Sequence, residues 1–214
     1  MVSQVETRDG KHRPRNRRGQ GSLLRDELIQ AARQLLMTAQ AESDVSIRAV
    51  TRTAGAAPQS FYLQFADLDE LLYAVYALEF EDLRQAMASA AGTAPAPLAS
   101  LLAVCNAYCD YARAHPGRYR LLTGTRGQVH EAWNGQPLPG TPAFALLQEA
   151  VAAVLTEQQA DTDPFLAAST LWACLHGLVT LRASRPAFPW PPIENMVTML
   201  VTHLLGVVVA GRDD

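Results

Sequence analysis

Residues 46–65 read Ser46-Ile-Arg-Ala-Val-Thr-Arg-Thr-Ala-Gly-Ala-Ala-Pro-Gln-Ser-Phe-Tyr-Leu-Gln-Phe65. Ser46 stands where its hydroxyl can accept from a first-turn backbone N–H, and Ile47, Val50 and Ala54 behind it fall on one side of a short helix. Gly55 ends that helix and Gly55-Ala56-Ala57 supply a three-residue turn. Pro58 suits the first position of the next helix, because the N–H it lacks would have no partner there. Phe61 and Phe65, four residues apart, give this second helix an inward face. Two short helices on a tight glycine turn, following a longer one, form a helix-turn-helix over about residues 46–65.

Outward from this motif the chain stays helical. Leu24, Leu28, Ala31, Leu35 and Ala39 recur at helical spacing and predict a first helix over residues 22–40, with Ser22 as its N-cap. Asp67 is placed to cap a long helix carrying Leu68, Leu71, Leu72, Val75, Leu78 and Leu83 to about Ala91, which should leave the small domain and enter the next. Further helices are expected from Leu98 to before Pro116 and over residues 117–122, 141–159, 164–184 and 192–209. The last two are expected to be the longest apolar ones outside the first domain, and a Gly- and Pro-rich loop spans 123–140. No period-2 segment competes, so the class is all-α. The expected organisation is a basic arm at 1–21, a three-helix helix-turn-helix domain at 22–66, and a helical-bundle ligand-binding and dimerisation domain at 67–214.

The 214 residues are 49% hydrophobic and 18% charged, enough apolar surface to bury a sizeable core. The net charge of −3 argues at first against a nucleic-acid partner. Locating the charges reverses that argument. Residues 1–65 hold ten basic and six acidic groups, a net of +4, whereas residues 66–214 hold eight and fifteen, a net of −7. The cations crowd into Arg8, Lys11, Arg13, Arg15, Arg17 and Arg18, and arginine is the better fork for phosphate.

Cys105, Cys109 and Cys174 lie in apolar helical sequence without framework spacing, which suggests reduced core thiols in a cytoplasmic protein. The first twenty residues are polar and basic, unlike a secretory signal, and the most apolar stretch, residues 193–210, is interrupted by Glu194, Asn195, Thr198, Thr202 and His203. No transmembrane span and no membrane partner are expected. The five histidines show no HExxH or paired metal spacing, no GxSxG elbow occurs, and no glycine-rich loop follows a strand, so neither an enzyme nor a cofactor or metal is expected.

A recognition helix must offer polar side chains to base edges while an apolar face pins it down. In residues 58–65, starting at Pro58, the outward candidates are Gln59, Ser60, Tyr62 and Gln64. Glutamine can pair bidentately with adenine, serine can bond to base or phosphate, and a tyrosine hydroxyl suits a phosphate. Ser46 and Arg48, at the start of the preceding helix, and Arg15, Arg17 and Arg18 of the arm are candidates for the phosphate backbone.

The segment from Ser46 to Phe65, continued by Ala-Asp-Leu-Asp-Glu-Leu-Leu72, resembles the TetR family of transcriptional regulators. The leading helix from Leu24, the Ala54-Gly55 turn, the Phe61-Tyr62 pair, the closing Phe65 and Asp69-Glu70-Leu71-Leu72 carry the likeness. Beyond Leu72 it is weaker. Tyr108 to Leu122, with its Ala-His-Pro-Gly-Arg-Tyr-Arg core, and Leu171-Trp172-Ala-Cys-Leu-His176-Gly177 resemble that family's tryptophan-histidine-glycine ligand domains. Three departures stand out. Leu68 takes the place of a phosphate-binding lysine, Gln64 of a histidine, and Ala57 of a small polar residue. The expectation is that the arginine arm takes over phosphate affinity. Deleting residues 1–18 should then flatten the salt dependence of DNA binding by about one log–log unit for every phosphate the arm neutralises, and an unchanged slope would sink the idea.

Short recognition helices usually work in pairs. The expected dimer seam is the last two helices, with Leu171, Leu175 and Leu178 on one and Val197, Leu200, Leu204 and Val208 on the other, giving a four-helix bundle with a second copy. Tyr108, Tyr111, Tyr119, Trp133, Phe144, Trp172 and His176 supply aromatic and polar-tipped groups for a mostly apolar effector pocket, which the resemblance sets under the helix from Asp67. The resemblance thus implies a homodimeric repressor that binds a palindromic double-stranded DNA operator and is released by a small-molecule effector the residues do not name. The alternative is a helical dimeric interaction protein that has lost specific DNA binding, which Leu68 and Ala57 make conceivable.

Overall fold

A computed structural model of the chain describes residues 21–38, 45–92, 94, 96–123 and 135–207, and the described residues form nine helices and no strand. They are α1 (Gly21–Thr38), α2 (Ile47–Thr53), α3 (Pro58–Phe61), α4 (Leu68–Ala91), α5 (Pro97–Ala114), α6 (Pro116–Thr123), α7 (Thr141–Glu157), α8 (Pro164–Ser184) and α9 (Ile193–Leu205). Arg15, Arg17, Arg18, Trp133 and Val208 lie outside the described residues.

Local chemistry explains most of the boundaries. The Ser46 hydroxyl accepts from the Ala49 N–H at 3.2 Å, and Asp67 accepts from the Glu70 N–H at 2.9 Å. Glu70 reaches back to accept from the Ala66 N–H at 2.6 Å, so two donors at the start of α4 are satisfied reciprocally, worth about 1 kcal/mol. Pro58, Pro97 and Pro164 each stand in the first turn of a helix. Two expectations fail at helix ends. Ser22 is not an N-cap, because α1 already begins at Gly21. The final helix does not run to residue 209, because Gly206 turns left-handed at φ 66° and ends it at Leu205. At 13 residues α9 is therefore shorter than α5 or α7, not among the longest apolar helices.

Two buried clusters divide the side chains. The first gathers Leu24, Leu28 and Leu36 of α1, Val50 of α2, Phe61 and Phe65, and Leu71, Leu72, Val75 and Tyr76 of α4, with Leu121 of α6. The second takes over at Leu83 and Met87 and is completed by α5, α7, α8 and α9. One helix, α4, thus supplies both cores. Leu68 packs half-buried against the first of them, which accounts for an apolar residue where a cation was expected.

By length and composition the 21-residue α8 could cross a bilayer, whereas no such span is expected from the sequence. Here one flank of α8, through Ala167, Ala168, Leu171, Leu175 and Val179, is buried in the second core while Leu166, Cys174 and Leu181 are exposed. The structure corrects the expected seam accordingly. Leu171, Leu175 and Val197 are wholly buried within the chain and cannot meet a partner, whereas Leu178, Leu200 and Leu204 remain half-buried at the edge of the core.

Candidate nucleic-acid interface and ligand pocket

The helix-turn-helix owes its shape to a few apolar anchors. Val50, Phe61 and Phe65 are buried, and the two phenylalanine rings sit 5.7 Å apart with Arg25 over Phe65 at 4.4 Å. The Thr51 hydroxyl is turned back onto the Ile47 carbonyl at 2.9 Å, so it is occupied inside the motif. Gly55 makes the turn at φ 64°, a conformation a side chain would strain.

With the apolar side fixed, Ser46, Arg48, Pro58, Gln59 and Tyr62 emerge exposed, and Ser60 and Gln64 half-buried, the first two at the start of α2 and the others on α3 and just after it. Sequence reasoning passed over Leu63, which at 77% exposure is the most exposed large apolar side chain among the described residues. Arg52 and Thr53 on α2 are exposed too. Ala57 offers no side-chain hydrogen bond to the start of α3.

A cavity of about 680 Å³ opens in the second core between α4, α5, α6, α7 and α8. Its walls are mainly apolar: Phe80, Leu83 and Met87 descend from α4, Phe144 and Leu147 come from α7, and Leu138 and Pro139 from the loop before it. Phe144 lies edge-on to Phe165 at 5.6 Å and to Trp172 at 6.0 Å. The loop is tied to α4 where the Tyr73 hydroxyl donates to the Pro137 carbonyl at 3.0 Å. Gly140 approaches so closely that a Cβ there would lie 2.9 Å from the Phe80 ring.

At one side of the cavity runs a short polar chain. The Tyr108 and Tyr119 hydroxyls are 2.8 Å apart, and Tyr119 lies 2.8 Å from His176 Nδ1. Burial pushes the Tyr108 phenol up to about 12 and raises Tyr119 further, so both stay neutral, hydrogen-bonding hydroxyls. Five expected pocket residues, Tyr108, Tyr119, Phe144, Trp172 and His176, therefore meet around one cavity. Tyr111 does not. It points away, under the Arg118 guanidinium at 5.3 Å and against His115 at 5.0 Å, and burial raises its phenol to about 12.

Beneath Tyr111 lies a charged cluster. Glu79 of α4 is fully buried between Arg33 of α1 and Arg118 of α6, whose Nε donates to it at 2.6 Å. Arg118 also bonds Asp82, one turn along α4, and Arg33 stands 3.8 Å from the same carboxylate. Two cations and two anions thus join three helices, and Arg118 immediately precedes Tyr119 of the cavity.

Cys105 and Cys109 are buried in the second core, where burial lifts both thiols and holds Cys109 at about 12, so neither provides a reactive thiolate. Cys174 differs from the expected core placement and is exposed on α8. Among the described residues no group of three or more His, Cys, Asp or Glu side chains could hold a metal ion.

Residues 101–204 match the family described as Tetracyclin repressor-like, C-terminal domain. That segment contains Trp172, His176 and Gly177, although the description does not carry the expected tryptophan-histidine-glycine grouping. Among solved structures, a protein of unknown function from Rhodococcus sp. RHA1 is 24% identical with a TM-score of 0.69, covering 86% of this chain and 94% of its own. A TetR family transcription regulator from Marinobacter aquaeolei VT8 is 15% identical with a TM-score of 0.65, covering 89% and 98%. The transcriptional regulator FadR from Bacillus subtilis, in complex with stearoyl-CoA, is 12% identical with a TM-score of 0.68, covering 86% and 99%. No curated protein matches the chain.

Proposed function

With residues 101–204 forming a tetracyclin repressor-like C-terminal domain and the chain carrying the fold of TetR-family regulators, we propose that it is a homodimeric repressor released from a palindromic operator by a small-molecule effector. One observation carries this reading. The α4 helix packs Leu71, Leu72 and Val75 into the helix-turn-helix core and, two turns on, lines the cavity with Phe80, Leu83 and Met87. A ligand that shifts α4 also shifts the recognition helix, and only a ligand binding the two arrangements differently can do so. Coupling of this kind typically amounts to about 1–3 kcal/mol, or roughly 5- to 150-fold in operator affinity.

Selection of genomic fragments by the full-length protein, followed by footprinting, tests the reading. A palindromic site bound in a salt-sensitive way is expected. A folded dimer that enriches no sequence would refute it and favour the interaction protein. In the proposed interface Gln59, Ser60 and Gln64 meet base edges, with Pro58 setting the helix start, and the exposed Leu63 faces a thymine methyl. Tyr62, Arg48 and Ser46 bind phosphate; Ser46 already accepts the Ala49 N–H but still has its own proton to donate. The arm residues Arg15, Arg17 and Arg18 add further bonds to phosphate.

The proposed partner surface is the outer flank of α8 and α9. A helix that is apolar all round wants cover on every side, yet α8 leaves Leu166 and Leu181 exposed, and α9 adds Met199 at 63% exposure. Leu178, Leu200 and Leu204 border this strip and belong to the proposed seam. Leu181→Glu combined with Met199→Glu should give a monomer by light scattering and weaken operator binding by more than about a hundredfold, since buried unpaired charges cost several kcal/mol. A double variant that remains dimeric would move the seam elsewhere.

A further inference from the structure

We propose that the cavity selects an uncharged, largely apolar ligand carrying one hydrogen-bonding group, which docks on the Tyr108–Tyr119–His176 chain. The inference rests on the cavity being an effector site, as proposed above, and adds what that site excludes.

Among the described lining residues there is no Lys, Arg, Asp or Glu. The polar side chains on the described lining are the tyrosine–histidine chain, Tyr76, Ser169, Thr123 and Thr141, with the indole N–H of Trp172, while the other walls are Phe, Leu, Met, Pro, Ala and Gly. Two arginines, one on α1 and one on α6, are not free to help. Arg33 and Arg118 are both committed to Glu79 and Asp82, and that cluster is already neutral. A carboxylate, phosphate or nucleotide entering the cavity would give up its water with no cation to replace it, a loss that apolar packing does not offset. Anionic ligands recruit arginine or lysine forks, and the described walls present none.

The polar chain suits a neutral group instead. Tyr119 has one proton to give. If it donates to His176 Nδ1, the imidazole keeps its proton on Nε2 and can donate to a ligand carbonyl or ether. If His176 donates from Nδ1, Tyr119 passes its proton to Tyr108 and Nε2 becomes an acceptor for a ligand hydroxyl. Either direction turns His176 Nε2 toward a neutral partner, and the second also leaves the Tyr108 proton to give, so a few polar groups on a mostly apolar wall fix a ligand's orientation. Whatever fold this chain shares with a stearoyl-CoA-bound regulator, its described cavity lining is not equipped for that charge.

The test uses the full-length protein with the neutral fluorophore N-phenyl-1-naphthylamine, above neutral pH where dodecanoate is ionised. Dye fluorescence should rise on binding, dodecan-1-ol should displace the dye, and dodecanoate and dodecanoyl-CoA should not. His176→Leu should remove about tenfold of the advantage that dodecan-1-ol has over dodecane as a displacer, the worth of one hydrogen bond, and an undiminished advantage would overturn docking on this chain. Displacement by dodecanoate or dodecanoyl-CoA as effective as by the alcohol would overturn the selection against charge and leave the effector site standing. No dye uptake by the folded wild-type protein would overturn the effector site itself, and operator recognition would still be decided by footprinting.

Discussion

Glu79→Gln should destabilise the protein by about 3–5 kcal/mol and lower its melting temperature by roughly 10 °C, the largest single-residue stability effect expected in this chain. The substitution keeps the shape of the side chain and removes only its charge. That charge is fully buried and shared between the Arg33 and Arg118 guanidiniums, whose side chains are themselves 18% and 19% exposed. Without it, Asp82 alone must answer two cations, and at 35% exposure it is partly screened by water. The pair's mutual attraction is less important than what is left behind, because an uncompensated buried charge has neither water nor a partner. Asp82→Asn should therefore cost clearly less. Thermal and urea unfolding of the two variants checks the ordering, and equal midpoints would show that the cluster is solvated and contributes little.

Gln59→Ala should weaken binding to the selected operator by about 1–3 kcal/mol for each half-site while leaving the salt dependence of binding unchanged. Arg48→Ala should do the reverse. It should lower affinity evenly across operator and unrelated DNA and reduce the log–log salt slope by about one for each phosphate left without its arginine. The contrast comes from the positions of the two exposed side chains, one at the start of α3 just after the turn and the other at the start of α2. Titrations at several salt concentrations separate the two effects. A Gln59 variant with undiminished sequence preference would remove that residue from base recognition, and an unaltered slope for the Arg48 variant would remove it from the phosphates.

Much of the architecture could be read from residues that act locally. Asp67, Pro58 and Gly55 each impose a helix start or a turn through their own hydrogen bonds or backbone, and α4 and α8 begin and end within about a residue of expectation. What failed had causes further away in sequence. Helical periodicity marks an apolar stripe but not what covers it, so Leu171, Leu175 and Val197 read as a partner seam when they fill the chain's own core. The same ambiguity holds on α4, where Leu83 of the apolar stripe both belongs to the second core and lines the cavity. Tyr111 has the composition of a pocket residue, and only its place on α5, under Arg118, decides otherwise. The Glu79–Arg118 pair, 39 residues apart, left no local pattern to find.

The charged cluster also bears on how such a protein can be recombined. A foreign N-terminal unit joined to this chain near residue 66 would bring its own α1, while Glu79, Asp82 and Arg118 would come with the recipient. Unless the donor carries an arginine where Arg33 stands, the graft leaves Glu79 one cation short. Compatibility between the halves of a chimera is therefore set by one side chain far from the splice. N- and C-terminal halves can be exchanged freely only among relatives that share it.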